Sequence, residues 1–157
     1  MPVLDVEVDL YGRLLLEMYV AVSTSDVAVF RESGRSVAGP RKVVALIDTG
    51  AGQSQVDLSI IGDLEIFAID ETRVFTASTA EEPESRDVYS VDLALAGAKP
   101  GPLAINLRVV GSDSLAGLKV QMLLGRDVLD RCLLAYDGPN RRCSLAYDPP
   151  IMLGAGR

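Results

Sequence analysis

Apolar residues recur at every second position along most of this chain. A chain with that period buries one face only by pairing strands. Leu4, Val6, Val8 and Leu10 alternate with Asp5, Glu7 and Asp9. After the turn Tyr11 Gly12 Arg13, a second run places Leu14, Leu16, Met18, Val20 and Val22 on one face, which predicts an N-terminal hairpin. Residues 23–42 carry Ser, Gly and Pro, and predict a loop around one weak strand at 27–30. Residues 43–47 are a continuous short apolar run, the pattern of a strand buried on both faces. One short helical turn is expected within 56–64. Residues 72–80 and 86–95 flank Glu81 Glu82 Pro83 Glu84 Ser85, with Tyr89, Val91, Leu93 and Leu95 on one face, and predict a long hairpin. Leu103, Ile105, Leu107 and Val109 alternate again, and 120–124 form an apolar strand ending at Gly125. A short helix is expected over 126–131. The runs 132–137 and 141–147 then bracket the turn Gly138 Pro139 Asn140. The fold class implied is all-β with one or two short helices.

Length and charge narrow the function classes. The 157 residues suit one domain, and 48% hydrophobic content supplies a core. With 22 acidic against 15 basic residues the net charge is -7, which repels a phosphate backbone, so no nucleic-acid partner is expected. The N-terminus lacks a basic region, and no segment approaches the roughly 20 apolar residues that span a bilayer. No membrane partner is therefore expected, and the location predicted is cytoplasmic. Cys132 and Cys143 are too few for a disulfide framework and have no metal-ligand spacing, so reduced thiols and no metal site are expected. The chain has no histidine. That removes the usual general base of serine and cysteine hydrolases and the commonest zinc ligand, leaving acid/base chemistry to carboxylates.

One carboxylate stands out. Ala45 Leu46 Ile47 Asp48 Thr49 Gly50 Ala51 occurs once and sets an Asp at the tip of a buried strand, followed by a hydroxyl residue and a glycine. By composition alone an Asp-Ser/Thr-Gly triplet arises in about one chain in fifteen of this length, so the triplet is weak by itself. A second block strengthens it: 76 residues after Ile47 comes Leu123 Leu124 Gly125 Arg126 Asp127 Val128 Leu129. In this order the two blocks resemble the retropepsin-like aspartic proteases, single-lobe relatives of pepsin. The run Leu134 Ala135 Tyr136 Asp137, a turn, and Ser144 Leu145 Ala146 is similar to the closing hairpin of a pepsin lobe.

The resemblance implies a closed or partly open β-barrel of the retropepsin or pepsin-lobe type, with a flap hairpin. It implies one domain over 1–157, with an N-terminal hairpin and loop (1–41), a family core (42–147) and a C-terminal tail (148–157). It further implies an aspartic endopeptidase acting on polypeptides without a cofactor. Asp48 would form the site with its copy from a second chain, since one motif supplies half a pair. Thr49 would fix the two loops across a homodimer axis, and Gly50 would admit close backbone approach. Ala51, Gly52, Thr79 and Ala80 would contact an extended substrate.

Three departures from the pattern stand beside the resemblance. The expected flap tip, residues 81–85, lacks glycine and is acidic, which reads either as a solvated turn or as a mobile lid favouring basic peptides. Gly52 stands where retroviral members often carry an acid that pairs with the Arg corresponding to Arg126, leaving Arg126 without a named partner. About 20 extra residues precede the motif, and a complete hairpin and tail follow it. Two other readings therefore stay open: a pepsin-like dimerisation or peptide-binding module with weak or no activity, and a plain β-barrel in which Asp48 is a turn residue.

Overall fold

Period-two alternation is realised most fully in β2 (Leu14–Val22), where Leu16, Met18, Val20 and Val22 are all buried and Glu17 and Tyr19 are exposed. The computed structural model describes residues 1–75, 82–97, 100–148 and 150–152. Besides β2, its strands are β1 (Val3–Val8), β3 (Arg41–Ile47), β4 (Gln55–Asp57), β5 (Asp70–Val74), β6 (Glu84–Leu95), β7 (Gly101–Ser112), β8 (Met122–Leu124), β9 (Cys132–Asp137), β10 (Arg142–Tyr147) and β11 (Ile151–Met152). Among the described residues three short α-helices accompany them, α1 (Thr24–Glu32), α2 (Leu58–Leu64) and α3 (Arg126–Leu129), with one turn of 3-10 helix at Ala116–Leu118. Among the described residues no helix is long and apolar enough to cross a membrane.

Six strands close on themselves in the order β2, β3, β8, β4, β7, β6, because β6 returns to pair with β2 from Met18↔Leu95 to Val22↔Val91. Closure leaves these six without a free edge and encloses one apolar interior. Met18, Val20, Val43, Ala45, Val91, Leu93, Leu107, Val109, Met122 and Leu124 fill it. β3 is buried on both sides, as its unbroken apolar run predicts. Val43, Ala45 and Ile47 face the main core, while Val44 and Leu46 pack on a smaller cluster of Leu115, Val120 and Leu123. The all-β barrel with short helices is the expected fold class.

Several local expectations are corrected. Residues 24–32 are helical, not a loop around a weak strand. Ser23 caps the helix, its Oγ accepting the Asp26 N–H at 3.1 Å. Gly34, at φ 72°, ends it: the Gly34 N–H donates to Arg31 O and the Arg35 N–H to Phe30 O, closing the last turn. Only Phe30 is fully buried and Val29 is 59% exposed, so the apolar stripe is too narrow to register as a helical period. Asn106 holds the helix to the barrel, accepting from Ser25 N–H at 3.0 Å.

The N-terminal hairpin is barely a hairpin. β1 pairs with β2 only at Glu7↔Leu15 and Val8↔Leu14, and otherwise lies on β10 from Val3↔Ala146 to Val6↔Cys143. Leu10 is 92% exposed in the turn, outside the strand it was expected to join. In the long hairpin, β5 and β6 pair from Asp70↔Val88 to Val74↔Glu84, so Glu84 and Ser85 belong to the strand rather than to the turn. β11, within the expected tail, pairs parallel with β7 at Ile151↔Ala104. β9 and β10 form the closing hairpin as expected, and both cysteines are free.

The Ser23 cap satisfies one of the N–H groups left open at the start of α1. Ser23→Ala is expected to destabilise the protein by about 1 kcal/mol, read as a lower midpoint in chemical denaturation with an unchanged slope.

Candidate active site

β3 and β8 run parallel, with Ala45↔Met122, Leu46↔Leu123 and Ile47↔Leu124 in register. Parallel strands end on the same side, so the chain after Ile47 and the chain after Leu124 emerge side by side. The Asp48 N–H donates to Leu124 O at 3.0 Å and extends the ladder by one residue. The chain then turns sharply. The Ala51 N–H donates to Asp48 O at 3.2 Å, and the Gly50 N–H donates to Asp48 Oδ1 at 2.9 Å. Asp48 is half-buried, with Thr49 and Gly50 exposed beyond it. Oδ1 is thus oriented by a backbone donor, and among the described residues Oδ2 meets no hydrogen-bond donor.

The second block clamps this loop. A Cβ on Gly125 would lie 2.8 Å from Gln53 C and 2.9 Å from both Ala51 O and Gln53 O, all backbone atoms that have nowhere to go. Only glycine allows that approach. Beyond it, the Arg126 N–H donates to Ala51 O at 2.8 Å and the Asp127 N–H to Gly52 O at 3.2 Å. Ser54, fully buried, completes the link: its Oγ donates to Asp127 Oδ1 at 2.7 Å and accepts from Gly125 N–H at 3.0 Å. Its own N–H donates to Asp127 Oδ2 at 2.8 Å. Each bond is worth about 1 kcal/mol net, more where a carboxylate accepts. Together they hold the Asp48 loop against the start of α3.

A cleft of about 330 Å³ adjoins the loop, lined on one side by Gly50, Ala51, Gly52 and Gln53 and on the other by Arg73, Val74 and Phe75 of the β5 end. Gly50, Ala51 and Gly52 are therefore placed together at the cleft. Asp48 and Thr49 belong to the same loop but do not line it. Thr79 and Ala80 lie outside the described residues. Larger hollows flank β1 and β10, but no residue of the Asp48 loop reaches them. Sequence reasoning missed Ser54, Arg73 and Phe75, and it gave Asp127, within the second block, no role of its own. Ser54 sits in the polar run Gly52 Gln53 Ser54 Gln55, where no periodicity marks one residue as buried. Burial pushes the thiols of Cys132 and Cys143 up from their ordinary value, so neither is a ready thiolate.

No protein-family model matches the sequence. No curated protein matches it either. Solved structures do. A retropepsin-like aspartic protease from Rickettsia conorii superposes with a TM-score of 0.58 at 15% identity, over 93% of this chain and 91% of that one. This chain has a retropepsin-like fold. Looser likenesses are to EIAV protease complexed with an inhibitor (TM-score 0.39, 15% identity, 78% and 89% covered) and to the retroviral protease-like domain of Ddi1 from Leishmania major (0.42, 12%, 87% and 90%). Identities this low speak to the fold, and the chemistry has to be argued from the site.

The retropepsin-like barrel brings its two motif blocks together through Gly125, and a test follows. Gly125→Ala is expected to cost about 1–3 kcal/mol through the backbone clash. Gly117→Ala is the control, since nothing lies within 4 Å of a Cβ there. Denaturant midpoints of the two variants check the contrast.

Proposed function

We propose that the chain is an aspartic endopeptidase whose site is completed by a second copy of itself. The observation that carries this reading is the Asp48 loop, clamped rigidly at the shared end of β3 and β8 and opening on a cleft. Its carboxylate is held by one backbone N–H and is half-buried. One such loop supplies one carboxylate, and a two-fold axis at the exposed Thr49 and Gly50 would supply the other. Thr49 is assigned the contact across that axis. Gly50, Ala51 and Gly52 are assigned to the backbone of a peptide bound in extended form, and Thr79 and Ala80, outside the described residues, are assigned to the same peptide.

The chemistry needs no covalent intermediate. Two facing carboxylates cannot both ionise, so the pair retains one proton and holds a water between them. The ionised carboxylate takes a proton from that water as its oxygen attacks the peptide carbonyl carbon. The protonated one gives its proton to the carbonyl oxygen, and a gem-diol forms. When the C–N bond breaks, a proton passes to the leaving nitrogen, one diol oxygen becomes a carbonyl, and an acid and an amine are released. Low pH favours the singly protonated pair. Away from the cleft, Arg86 of β6 bonds Asp113, just after β7, and Glu84, each at 2.8 Å, and its guanidinium holds the Asp113 carboxyl below the usual range. A carboxyl lowered in the folded state stabilises above its unfolded value and loses that contribution only as pH falls through the folded one. That ion pair therefore survives mildly acidic conditions.

Purified protein incubated with a mixed peptide library is expected to cleave best at acidic to mildly acidic pH. Asp48→Asn is expected to lower cleavage by about 10²- to 10⁴-fold, the usual worth of a positioned acid/base group. Undiminished cleavage by that variant contradicts the assignment. A folded dimer that binds peptides and never cleaves them supports a binding module instead.

A further inference from the structure

We infer that Arg126 and Arg73 form a carboxylate-binding subsite at the cleft, so that the preferred substrates are peptides carrying Asp or Glu a few residues from the cleaved bond. This rests on the endopeptidase reading and names its substrate class. The two arginines come from different elements onto one loop. Arg73, exposed on β5, lines the same cleft as Gly50, Ala51 and Gly52. Arg126, exposed at the start of α3, carries its Nη2 to within 3.6 Å of where a Cβ on Gly52 would stand. The absent side chain at Gly52 leaves that guanidinium uncovered.

Charge is the second argument. Some cations of this acidic chain are held by carboxylates, while others, Arg31, Lys119, Arg131 and Arg142 among them, have no ion pair among the described residues; what sets Arg73 and Arg126 apart is their place beside the Asp48 loop. Arg13 pairs with Asp9, Arg41 with Asp63, Arg86 with Glu84 and Asp113, and Arg108 with Asp70. Arg35 instead stacks over Phe30. Among the described residues Arg73 and Arg126 have no ionic or aromatic partner. Three carboxylates of neighbouring segments are engaged elsewhere: Asp127 by Ser54, Glu71 by the Ser85 hydroxyl, and Glu84 by Arg86.

Guanidinium presents a planar fork of donors that fits a carboxylate in two-pronged fashion. An extended peptide projects alternate side chains to one side, about 6.5 Å apart, so one acid, or two spaced by a residue, meets these cations without distorting the strand. The direction is opposite to the basic preference that the acid-rich segment 81–85 suggests. Glu84 is neutralised within its own strand by Arg86, and Glu81 lies outside the described residues.

The test uses matched peptides that differ by Glu or Gln at each position flanking the bond. Binding is read by fluorescence anisotropy on the Asp48→Asn protein, and turnover on the wild type. Glu peptides are expected to bind and turn over about three- to tenfold better at one or two positions. The ratio is expected to narrow with added salt and to fall toward one in Arg126→Gln and Arg73→Gln. Turnover with no Glu preference, or a preference that both variants retain, overturns the subsite and leaves the endopeptidase standing. Binding with the Glu preference but no turnover keeps the subsite and overturns the endopeptidase. If Arg126→Gln weakens self-association and leaves the Glu-to-Gln ratio intact, Arg126 serves the dimer and the subsite is wrong.

Discussion

Everything at the candidate site depends on the backbone contact between Gly125 and the segment from Ala51 to Gln53. Two stretches of chain 72 to 74 residues apart meet there with no room for a single methyl group. A parallel pair such as β3 and β8 cannot be joined by a short turn, so the intervening strands have to travel around the barrel to bring β8 back. β4 is inserted between β8 and β7, antiparallel to the first and parallel to the second, and makes that return possible. The closed ring is, in this sense, the means of holding the Asp48 loop against α3.

The clamp is polar, and the loop it secures is exposed. Buried Ser54 and half-buried Asp127 bond each other twice, and among the described residues no buried side-chain polar atom lacks a partner. Such fully paired networks rigidify a site, whereas a partly paired one would loosen it. Beyond the clamp, Asp48 is half-buried while Thr49 and Gly50 face outward. A rigid carboxylate next to an exposed loop suits a site that a second chain completes. The likeness to a rickettsial protease of 15% identity establishes the barrel, and the loop and cleft carry the functional proposal.

The sequence displayed the strands where burial alternates or runs unbroken. β2, β3, β9 and β10 fall close to their expected bounds because apolar spacing alone determines them. α1 escaped notice because it buries so little; its evidence lay in Ser23, Asp26 and Gly34, which mark helix ends rather than an apolar face. The pairing of β1 with β10 was hidden for a different reason. A strand's own pattern shows which face is buried but not which distant strand lies beside it. The Asp48 and Gly125 blocks were legible as motifs, but their contact was not, since Gly125 looks like any strand-ending glycine until the backbone of Ala51 is placed beside it. Ser54, Arg73 and Phe75 owe their positions entirely to tertiary approach.

The central claim is that Asp48 is half of a site. Adding increasing amounts of Asp48→Asn protein to a fixed, dilute amount of wild type, while following peptide cleavage, tests it most directly. If each active centre draws one carboxylate from each of two chains, the excess variant captures wild-type chains in mixed dimers and cleavage falls steadily toward zero. If cleavage per wild-type chain is unaffected by the variant and independent of protein concentration, a single chain holds the whole site and the account is wrong.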